Sequence, residues 1–418
     1  MQQPSLTEAA RVWAKIGVLS FGGPAGQIAL MHREVVEGRG WLSEQQFLNA
    51  ISFCMLLPGP EAMQIATYAG WRLHGVLGGL IAGLLFILPG ALVMLTLAAG
   101  YASYGALPLA QTVFLGIKAT VIVIVLQALL GVSRRALKTK DSWVLAGVAF
   151  LAIFVLGVPF PLIVLAAAVY GFLRQSQVSP EPVALSVPAS QTAGTVALWL
   201  AIWLLPLAVL SAVASETILV DIGVFFSKLA VVTFGGAYAV LAYMAQDVVT
   251  EFSWLTAGEM MDGLGLAETT PGPLILVTQF VGYLAAEKAV GLGLAAAAIT
   301  LWVTFTPCFL WIFAGAPYID WISSQPRLAG ALSAITAAVV GVILNLSVWF
   351  ALHVLFAKVS RVDGAFWQLW LPDVTTLDWR ACVLVVLSVL LLWRMKWNLL
   401  VVLFASASFG AILAGFGG

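Results

Sequence analysis

The long apolar segments of this sequence are incompatible with the core of a soluble protein. Five runs of about 20 residues or more contain one charged side chain, Lys118, and about 20 apolar residues span the hydrocarbon core of a bilayer as a helix. Only 9% of the chain is charged, compared with about 25% in soluble domains. The sequence therefore predicts an all-α, polytopic membrane protein that contacts the lipid bilayer. The five runs are residues 75–102, 107–133, 196–214, 290–314 and 328–356.

The other apolar segments are shorter, or are interrupted by glycine, proline and charged residues. Two of them are predicted to form pairs of short helices, because turn-forming or charged residues lie near their centres. Four more are amphipathic or interrupted, so the chain is predicted to contain about 13 transmembrane or re-entrant helices. The two helix pairs are residues 142–173 and 379–415, and the four interrupted segments are 6–36, 44–70, 218–248 and 258–285.

An internal repeat relates the two halves of the chain at a constant offset of 213 residues. The sequence Phe-Gly-Gly at 21–23 recurs at 234–236, and Pro-Gly-Pro at 58–60 recurs at 271–273. Across residues 21–60, 12 of 40 positions are identical to their equivalents without a gap. Shared apolar composition would not keep Pro-Gly-Pro in register, so we interpret the match as a true repeat.

Charge distribution predicts that the two repeats have opposite orientations in the membrane. Residues 134–140 carry four positive charges, which the positive-inside rule places in the cytoplasm. The pair at 142–173 goes out and back, and the single helix at 196–214 then carries the chain outward. The acidic residues Asp247 and Glu251 fall near the inside, which the rule does not favour. The predicted organisation is two inverted-topology repeats, 1–174 and 216–418, joined by a polar linker and a connecting helix at 175–215, with a cytoplasmic N-terminus and a periplasmic C-terminus.

The glycine and proline clusters break apolar helices at matching positions of the two repeats. Such breaks in inverted repeats are typical of secondary transporters, whose substrate site lies near the bilayer midplane. A break exposes backbone N–H groups that lipid cannot satisfy, so these groups must face protein or a water-filled cavity. A helix that restarts after Pro24 or Pro60 directs its free N–H groups and positive dipole end toward that cavity, which favours an anion.

Fixed cations are also expected at such a site, because one helix N-terminus contributes about 0.3–1 kcal/mol and full desolvation of an ion costs on the order of tens. Lys15 and Lys228 occupy equivalent repeat positions and are the candidate cations. Alternatively, both lysines snorkel, with their ammonium groups at the membrane interface. Lys118 has a weaker claim, because it has no counterpart in the other half. Glu61 and Glu268 are candidate coupling residues, and Glu61 is also explained as an ordinary first-turn acid. The predicted substrate-binding residues are Lys15, Phe21, Gly22, Gly23, Pro24, Gln27, Pro58, Gly59, Pro60, Gln64, Lys228, Phe234, Gly235, Gly236, Ala237, Thr269, Thr270, Pro271, Gly272, Pro273 and Gln279.

Several function classes lack support in the sequence. The formal net charge is zero, so no basic face for nucleic acid is expected. Cys54, Cys308 and Cys382 lie in apolar runs, at spacings that fit neither a disulfide framework nor a metal site. A reductase would need a cofactor motif or paired Cys and His ligands, a metalloprotease would need His-Glu-x-x-His, and neither pattern occurs. We therefore expect a protein that is not an enzyme and holds no cofactor or metal.

Several motifs resemble those of the chromate ion transporter family in its long, two-domain form. They include Phe-Gly-Gly-Pro at 21–24, Leu-Leu-Pro-Gly-Pro-Glu-Ala at 56–62, Phe-Gly-Gly-Ala-Tyr at 234–238 and Gly-Leu-Ala-Glu-Thr-Thr-Pro-Gly-Pro at 265–273. The resemblance covers nearly the whole chain. It implies export of chromate across the bacterial inner membrane, resistance to chromate, and sulfate as a look-alike substrate.

The motifs leave the substrate and the transport mode open. Chromate and sulfate are both tetrahedral dianions, and no motif here separates them. A sulfate or other oxyanion carrier and a passive anion channel of the same architecture therefore stay as alternatives, and a homodimer stays open. Export of a dianion across 100 mV, negative inside, gains about 4.6 kcal/mol, so the membrane potential is the expected driving force, with pH as a second contributor.

Overall fold

The computed structural model is built almost entirely from α-helices, which confirms the predicted fold class. It describes residues 4–174, 188–234, 237–323, 325–365 and 367–414. The helices are α1 Leu6–Leu19, α2 Gly23–His32, α3 Glu44–Cys54, α4 Glu61–Tyr104, α5 Pro108–Ala136, α6 Lys140–Phe154, α7 Phe160–Arg174, α8 Ala189–Val213, α9 Thr217–Val232, α10 Ala237–Gln246, α11 Ala257–Thr269, α12 Val277–Val290, α13 Gly293–Gly315, α14 Ile319–Ser323, α15 Pro326–Leu355, α16 Trp379–Val389 and α17 Leu399–Ala414.

Short elements of other kinds extend or join these helices. A two-stranded antiparallel hairpin pairs β1 Val359–Asp363 with β2 Gln368–Pro372 and follows α15. The sequence pattern does not predict this hairpin. The remaining elements are π-helical turns at Arg33–Glu37, Asp247–Glu251 and Leu390–Arg394, and 3₁₀ turns at Leu274–Leu276, Ala316–Tyr318 and Val374–Thr376.

Hydroxyl residues fix the start of several helices outside the long apolar runs. The side chain of Ser5 accepts a hydrogen bond from the backbone N–H of Glu8 and begins α1. Ser43 and Thr139 each form a capping box at the start of α3 and α6. These caps satisfy N–H groups that the first helical turn leaves without a partner, and each contributes about 1 kcal/mol.

Five helices of the described chain are long and apolar enough to cross a membrane. Each contains or overlaps one of the five apolar runs, so these spans are confirmed as helices of spanning length. The chain is therefore a multi-pass membrane protein. The five are Glu61–Tyr104, Pro108–Ala136, Ala189–Val213, Gly293–Tyr318 and Pro326–Leu355.

Helix α4 is in fact two helical segments that fold back on each other. Non-helical backbone at His74 and Gly75 separates residues 61–73 from residues 76–104, and Gly75 has a φ of +61°, which favours glycine. A Cβ atom added to Gly70 would lie 2.3 Å from the carbonyl oxygen of Gly78, so the two segments are in backbone contact. This agrees with the sequence pattern, which ends one interrupted segment at residue 70 and starts a span at residue 75.

The chain groups into two compact units, and each unit takes segments from both sequence repeats. The predicted boundaries at 1–174, 175–215 and 216–418 divide the sequence into repeats and do not coincide with the two units, so they stay a prediction. Residues 175–187 of the predicted linker lie outside the described residues. Unit 1 comprises Met1–Ala99, Leu173–Ala237 and Thr270–Gly330, and unit 2 comprises Gly100–Phe172, Tyr238–Thr269 and Ala331–Gly418.

Each unit is organised around one long helix. In unit 1, α13 packs against α8, α9 and α12, and Trp199 of α8 stacks on Phe309 of α13. In unit 2, α5 packs against α11, α16 and α17. There the buried hydroxyls of Thr120, Ser388 and Ser406 form a hydrogen-bonded chain that joins α5, α16 and α17. A buried hydroxyl chain of this kind satisfies polar groups that lipid cannot.

Candidate functional site: crossed helix breaks in unit 1

The sequence repeat is also a repeat of local structure. The hydroxyl of Ser20 donates to the carbonyl of Ile16, and the hydroxyl of Thr233 donates to the carbonyl of Leu229. Both pairs lie at the end of the helix that precedes a Phe-Gly-Gly sequence, and they are related by the 213-residue offset. Equivalent residues therefore end these helices in the same way, because a serine or threonine hydroxyl bonded one turn back competes with helix continuation.

The Phe-Gly-Gly breaks use glycine for its backbone freedom. Gly22 and Gly23 have φ values of +86° and +75°, and no atom lies within 4 Å of a Cβ built on either. The left-handed backbone, and not lack of space, therefore requires glycine here. Helix α2 begins at Gly23 with Pro24 in its first turn, as the sequence predicts. In the second repeat, Phe234 is half-buried and α10 begins at buried Ala237, whereas Gly235 and Gly236 lie outside the described residues.

The Pro-Gly-Pro breaks also place glycine at positive φ, at +120° for Gly59 and +84° for Gly272. After Pro60, α4 begins at once with Glu61. After Pro273, a 3₁₀ turn precedes α12, so the second break is longer than the first. Pro58, Pro60, Pro271 and Pro273 are all buried. The predicted restart of a helix after Pro60 is therefore confirmed, and the restart after Pro273 is delayed by the 3₁₀ turn.

The four breaks are joined by two crossed backbone hydrogen bonds within unit 1. The N–H of Gly59 donates to the carbonyl of Thr233 at 2.9 Å, and the N–H of Gly272 donates to the carbonyl of Ser20 at 2.9 Å. Gly59 and Gly272 are repeat equivalents, and so are Ser20 and Thr233. Each Pro-Gly-Pro break therefore bonds the Phe-Gly-Gly region of the other repeat, which is the reciprocity expected of elements related by a two-fold axis.

This arrangement changes which N–H groups are available to an anion. The N–H groups of Gly59 and Gly272 already donate to protein carbonyls. The first turns of α2 and α4 still offer N–H groups to a ligand, because the first N–H groups of a helix have no partner within the helix. The role of the breaks as a ligand site stays a prediction, and the backbone N–H groups of Gly59 and Gly272 are not among its free donors.

Buried amides reinforce the crossing. Nε2 of Gln27 donates to the carbonyl of Gly272 at 2.6 Å and to that of Ser20 at 3.3 Å, and Nε2 of Gln64 donates to the carbonyl of Pro58 at 2.7 Å. Oε1 of Gln64 and Oε1 of Gln279 are buried, with no hydrogen-bond partner in the described part of the chain. The predicted ligand contacts of these amides stay predictions, and Gln27 and Gln64 already hold the breaks together.

Close backbone packing fixes the second Pro-Gly-Pro break against α4. A Cβ atom added to Gly90 would lie 2.0 Å from the carbonyl oxygen of Pro271. At the first break, a Cβ atom added to Gly59 would lie 2.9 Å from Sγ of Cys308 and 2.9 Å from Nε2 of Gln64. A side chain at Gly90 would collide with the backbone of Pro271, and one at Gly59 would displace the side chains of Cys308 or Gln64, so both breaks are part of the packing of unit 1.

The two predicted lysines have different environments. Nζ of Lys15 lies 2.7 Å from Oε1 of Glu34, whose other oxygen lies 2.7 Å from Nη1 of Arg39. The hydrogen bond from Lys15 lowers the pKa of Glu34 below its ordinary value, and Arg39 acts in the same direction. Lys228 is exposed on α9 and forms no ion pair within the described residues. Neither ammonium group hydrogen-bonds the breaks in that part of the chain, so their predicted meeting at the substrate stays a prediction.

The remaining predicted residues are divided between the units. Phe21 is exposed, Thr270 is buried, and Glu61 begins α4 in unit 1. Glu268 and Thr269 end α11 in unit 2, where the hydroxyl of Tyr238 donates to Oε1 of Glu268 at 2.7 Å. The hydroxyl of Thr269 donates to the carbonyl of Leu266. A coupling role for Glu61 and Glu268 stays a prediction.

A second polar cluster, in unit 2, is one that the sequence patterns do not single out. Nζ of Lys118 lies 3.3 Å from Oδ2 of Asp262, and the hydroxyl of Tyr101 donates to the same oxygen at 2.7 Å. Asp262 is one of three acids of the glycine-rich helix α11, with Glu259 and Glu268, and buried charges in membrane helices default to function. That rule, applied to Asp262 as well as to Lys118, would have singled out both residues, but not their contact. Within the described residues, no group of three or more His, Cys, Asp or Glu residues could hold a metal ion.

The family model and the similar proteins point to the same family. The family model described as Chromate transporter matches residues 7–172 and 220–411. The chain is 34% identical over 332 residues to a chromate transport protein of Pseudomonas aeruginosa, which is 79% of this chain and 77% of that protein. It is 29% identical over 351 residues to a probable chromate transport protein of Synechococcus elongatus, which is 81% of this chain and 83% of that protein.

A third relative extends over a larger share of the chain. The chromate transport protein of Cupriavidus metallidurans is 28% identical over 368 residues, which is 86% of this chain and 84% of that protein. No solved structure matches the chain.

Proposed function

Because the chain belongs to the chromate transporter family, we propose that it exports chromate across the bacterial inner membrane and thereby confers chromate resistance. The observation that carries the proposal is the pair of crossed bonds from Gly59 to Thr233 and from Gly272 to Ser20. These bonds join breaks of both repeats within unit 1, and secondary transporters build their substrate sites from broken helices of two repeats. The substrate class comes from relatives named chromate transport proteins.

The helix starts of unit 1 supply a weak and hydrated anion site. Each N-terminus contributes about 0.3–1 kcal/mol, or about 2 kcal/mol in a partly buried geometry. Two such termini do not offset full dehydration of a dianion, so bound chromate retains water or meets a cation. Lys228 is available for that role, whereas Lys15 would first have to leave Glu34. A loosely held anion is an advantage in a transporter, since the substrate must also leave.

The membrane potential is the proposed driving force. Two negative charges that leave a negative-inside cell gain about 4.6 kcal/mol at 100 mV, which is more than a thousandfold in concentration. A proton gradient is then a modulator and not a requirement. The same proposal includes inverted repeats, a cytoplasmic N-terminus and a periplasmic C-terminus.

Two alternatives share the architecture. A carrier whose main substrate is sulfate or another oxyanion would use the same helix termini, because these recognise negative charge and not the central atom. A passive anion channel would also use them. The names of the relatives favour chromate as substrate, and favour transport over catalysis. A homodimer is a further part of the proposal, tested by the mass of the purified protein in detergent.

Flux into proteoliposomes tests the proposal. Purified protein is reconstituted, and radiolabelled chromate and sulfate are supplied in parallel under a potassium diffusion potential without a pH gradient. We expect chromate to accumulate on the positive side, with liposomes that lack protein as control. Absence of flux until a pH gradient is added would contradict potential-driven transport, and faster flux of sulfate than of chromate would favour the first alternative.

Counter-transport separates a carrier from a channel. Unlabelled chromate on the far side of the membrane should accelerate entry of labelled chromate through a carrier, because a loaded carrier returns faster than an empty one. A channel gives no such acceleration and does not saturate in the same range. We expect unlabelled chromate to accelerate the entry of labelled chromate. A flux without acceleration that rises linearly with the chromate concentration would support the channel.

A further inference from the structure

Helices α5 and α11 cross closely in unit 2, and the crossing brings together opposite charges. Gly258, Asp262 and Gly265 are spaced by four and three residues, so they lie on one face of α11. A Cβ atom added to Gly265 would lie 2.1 Å from Cγ2 of Ile117, and one added to Gly258 would lie 3.3 Å from Nζ of Lys118. The face of α11 toward α5 therefore consists of two glycines that permit close approach and one aspartate between them.

The resulting ion pair is buried but incompletely satisfied. The side chain of Asp262 is 1% exposed and that of Lys118 is 14% exposed. Oδ2 of Asp262 receives both the Lys118 ammonium at 3.3 Å and the Tyr101 hydroxyl at 2.7 Å. Oδ1 of Asp262 is buried, without a hydrogen-bond partner in the described part of the chain. A carboxylate normally uses both oxygens when it is buried, so this pair lacks the full set of bonds that a structural pair needs.

The position of the pair along α5 also matters. Lys118 is ten residues into a helix that begins at Pro108, which places it about 15 Å along the helix axis. A charged side chain at the centre of a membrane-spanning helix costs about 2.5–3.5 kcal/mol on the insertion scale. A pair of buried charges is often no more stabilising than apolar residues of the same size. A buried ion pair in a helix of spanning length therefore points to a role beyond packing.

We propose that Lys118 is an oxyanion-binding residue of unit 2, and that Asp262 is an internal counter-ion which a tetrahedral oxyanion replaces when Asp262 takes up a proton. In the resting state the Lys118 ammonium and the Asp262 carboxylate neutralise each other. In the bound state a solvent proton forms an O–H bond on Asp262, and the released ammonium pairs with the anion. The inference rests on the proposed oxyanion transport and adds a second anion-binding position, in unit 2, to the weak site at the helix starts of unit 1.

Titratable side chains lie near Asp262 on three helices. Lys118 acts from α5, Tyr101 acts from the end of α4, and Glu259 acts from one turn earlier in α11. Tyr101, held by an edge-to-face contact with Phe114 of α5 at 5.1 Å, remains as a hydroxyl donor.

Equilibrium binding of radiolabelled sulfate to the full-length protein in lipid nanodiscs tests the site, with chromate as competitor. We expect the apparent Kd of the unaltered protein to fall as the pH is lowered from about 8 to about 6, by at most about tenfold per pH unit, because one proton enters with each anion. Asp262→Asn should bind tightly at every pH. Lys118→Met should bind at least about tenfold more weakly at every pH, and Lys118→Arg should retain part of the affinity.

Fold effects are separated from binding effects by a neutral pair. The double variant Lys118→Met with Asp262→Asn removes both charges, so it leaves no unpaired buried charge and should fold, but bind sulfate at least about tenfold more weakly than the unaltered protein. Lys138→Met, in the loop after α5, is the matched control for loss of a lysine and should bind normally. Normal sulfate binding by the double variant, or an unchanged pH profile in Asp262→Asn, would overturn the proposal.

Failure of this site is distinguishable from failure of the proposed function. Chromate flux by the unaltered protein in liposomes reports on the function without any substitution. Flux by the unaltered protein together with unchanged binding in both Lys118→Met and Asp262→Asn would refute the site and leave the function intact. Loss of flux in Lys118→Met, with recovery in Lys118→Arg, would support the site in the transport cycle.

Discussion

The backbone N–H of Gly59 donates to the carbonyl oxygen of Thr233 at 2.9 Å, and the equivalent bond recurs with the two repeats exchanged. A residue of one repeat therefore satisfies the broken backbone of the other. This pairing stabilises the fold in a membrane, because a buried N–H group without a hydrogen-bond partner costs several kcal/mol and lipid offers no acceptor. The breaks of the two repeats therefore depend on each other for hydrogen bonds, and a substitution that distorts one break is expected to distort its partner.

The first prediction concerns the glycines of this crossing. Gly59→Ala and Gly272→Ala should each lower the melting temperature and abolish chromate flux, because alanine at positive φ costs about 1–2 kcal/mol and the added methyl group meets neighbouring atoms. Those neighbours are Cys308 and Gln64 at Gly59, and the carbonyl of Phe86 at Gly272. Thermal unfolding in detergent and liposome flux are the measurements.

A matched control for these substitutions is Gly147→Ala in α6. No atom lies within 4 Å of a Cβ at Gly147, and its backbone is helical. Alanine is the better helix former by about 1 kcal/mol, so this variant should melt at the same or a higher temperature. A Gly59→Ala protein that melts and transports like the control would show that the crossing tolerates a side chain.

The second prediction concerns the amide that spans the crossing. Gln27→Met keeps the length of the side chain but removes the donor to the carbonyls of Gly272 and Ser20. Loss of one side of a buried hydrogen bond costs about 1–3 kcal/mol, so the variant should melt earlier and transport more slowly. Gln45→Met is the control, since Gln45 is exposed on α3, and it should change stability by less than about 0.5 kcal/mol. Equal melting temperatures for the two variants would contradict the bridging role of Gln27.

Much of the fold follows from local sequence signals. Apolar runs of spanning length predict the five long helices, and proline after glycine predicts the starts of α2 and α4. These signals act within one or two turns of chain, so a single sequence contains them. The left-handed backbone at Gly22, Gly59 and Gly272 is predictable for the same reason, because only glycine adopts it at little cost.

The contacts that define the candidate site are not local, and so could not be predicted in the same way. The bond from Gly59 to Thr233 joins residues far apart in sequence, and the repeat indicates equivalence but not contact. The pairing of Lys15 with Glu34 depends on how α1 packs against the turn after α2. Composition gives no register for such pairs. The β-hairpin after α15 is short, its first strand is mostly exposed, and its second strand shows no regular alternation of buried and exposed residues.

The third prediction tests whether Lys15 serves the substrate or only the fold. Glu34→Gln releases the Lys15 ammonium, so a substrate role predicts a lower apparent KM for chromate in this variant and a higher one in Lys15→Met. Lys15→Arg should retain part of the affinity. Lys228→Met should also raise the apparent KM, and Lys138→Met is the control. A purely structural pair predicts instead that Lys15→Met and Glu34→Gln destabilise equally and leave KM unchanged.

The pH dependence of this pair has a definite sign. The pKa of Glu34 is lowered in the folded protein, so the pair stabilises the fold above the unfolded pKa, and that stabilisation is lost as the pH falls through the folded pKa. Between about pH 6 and about pH 8 its contribution is constant, since Glu34 is ionised in both states. A change of transport with pH in that window must therefore come from another group.

The last prediction concerns Glu61, the first residue of α4 after the Pro-Gly-Pro break. Its carboxylate lies at the same positive helix end that is proposed to receive the anion, so it competes with the substrate when ionised, and protonation relieves the competition. Glu61→Gln should therefore weaken the increase of chromate flux at low pH, while it costs no more than about 1 kcal/mol of stability. Glu8→Gln is the matched control, because Glu8 is a first-turn acid of α1 and lies outside the breaks. If Glu61→Gln and Glu8→Gln show the same pH profile as the unaltered protein, Glu61 serves only to stabilise the start of α4.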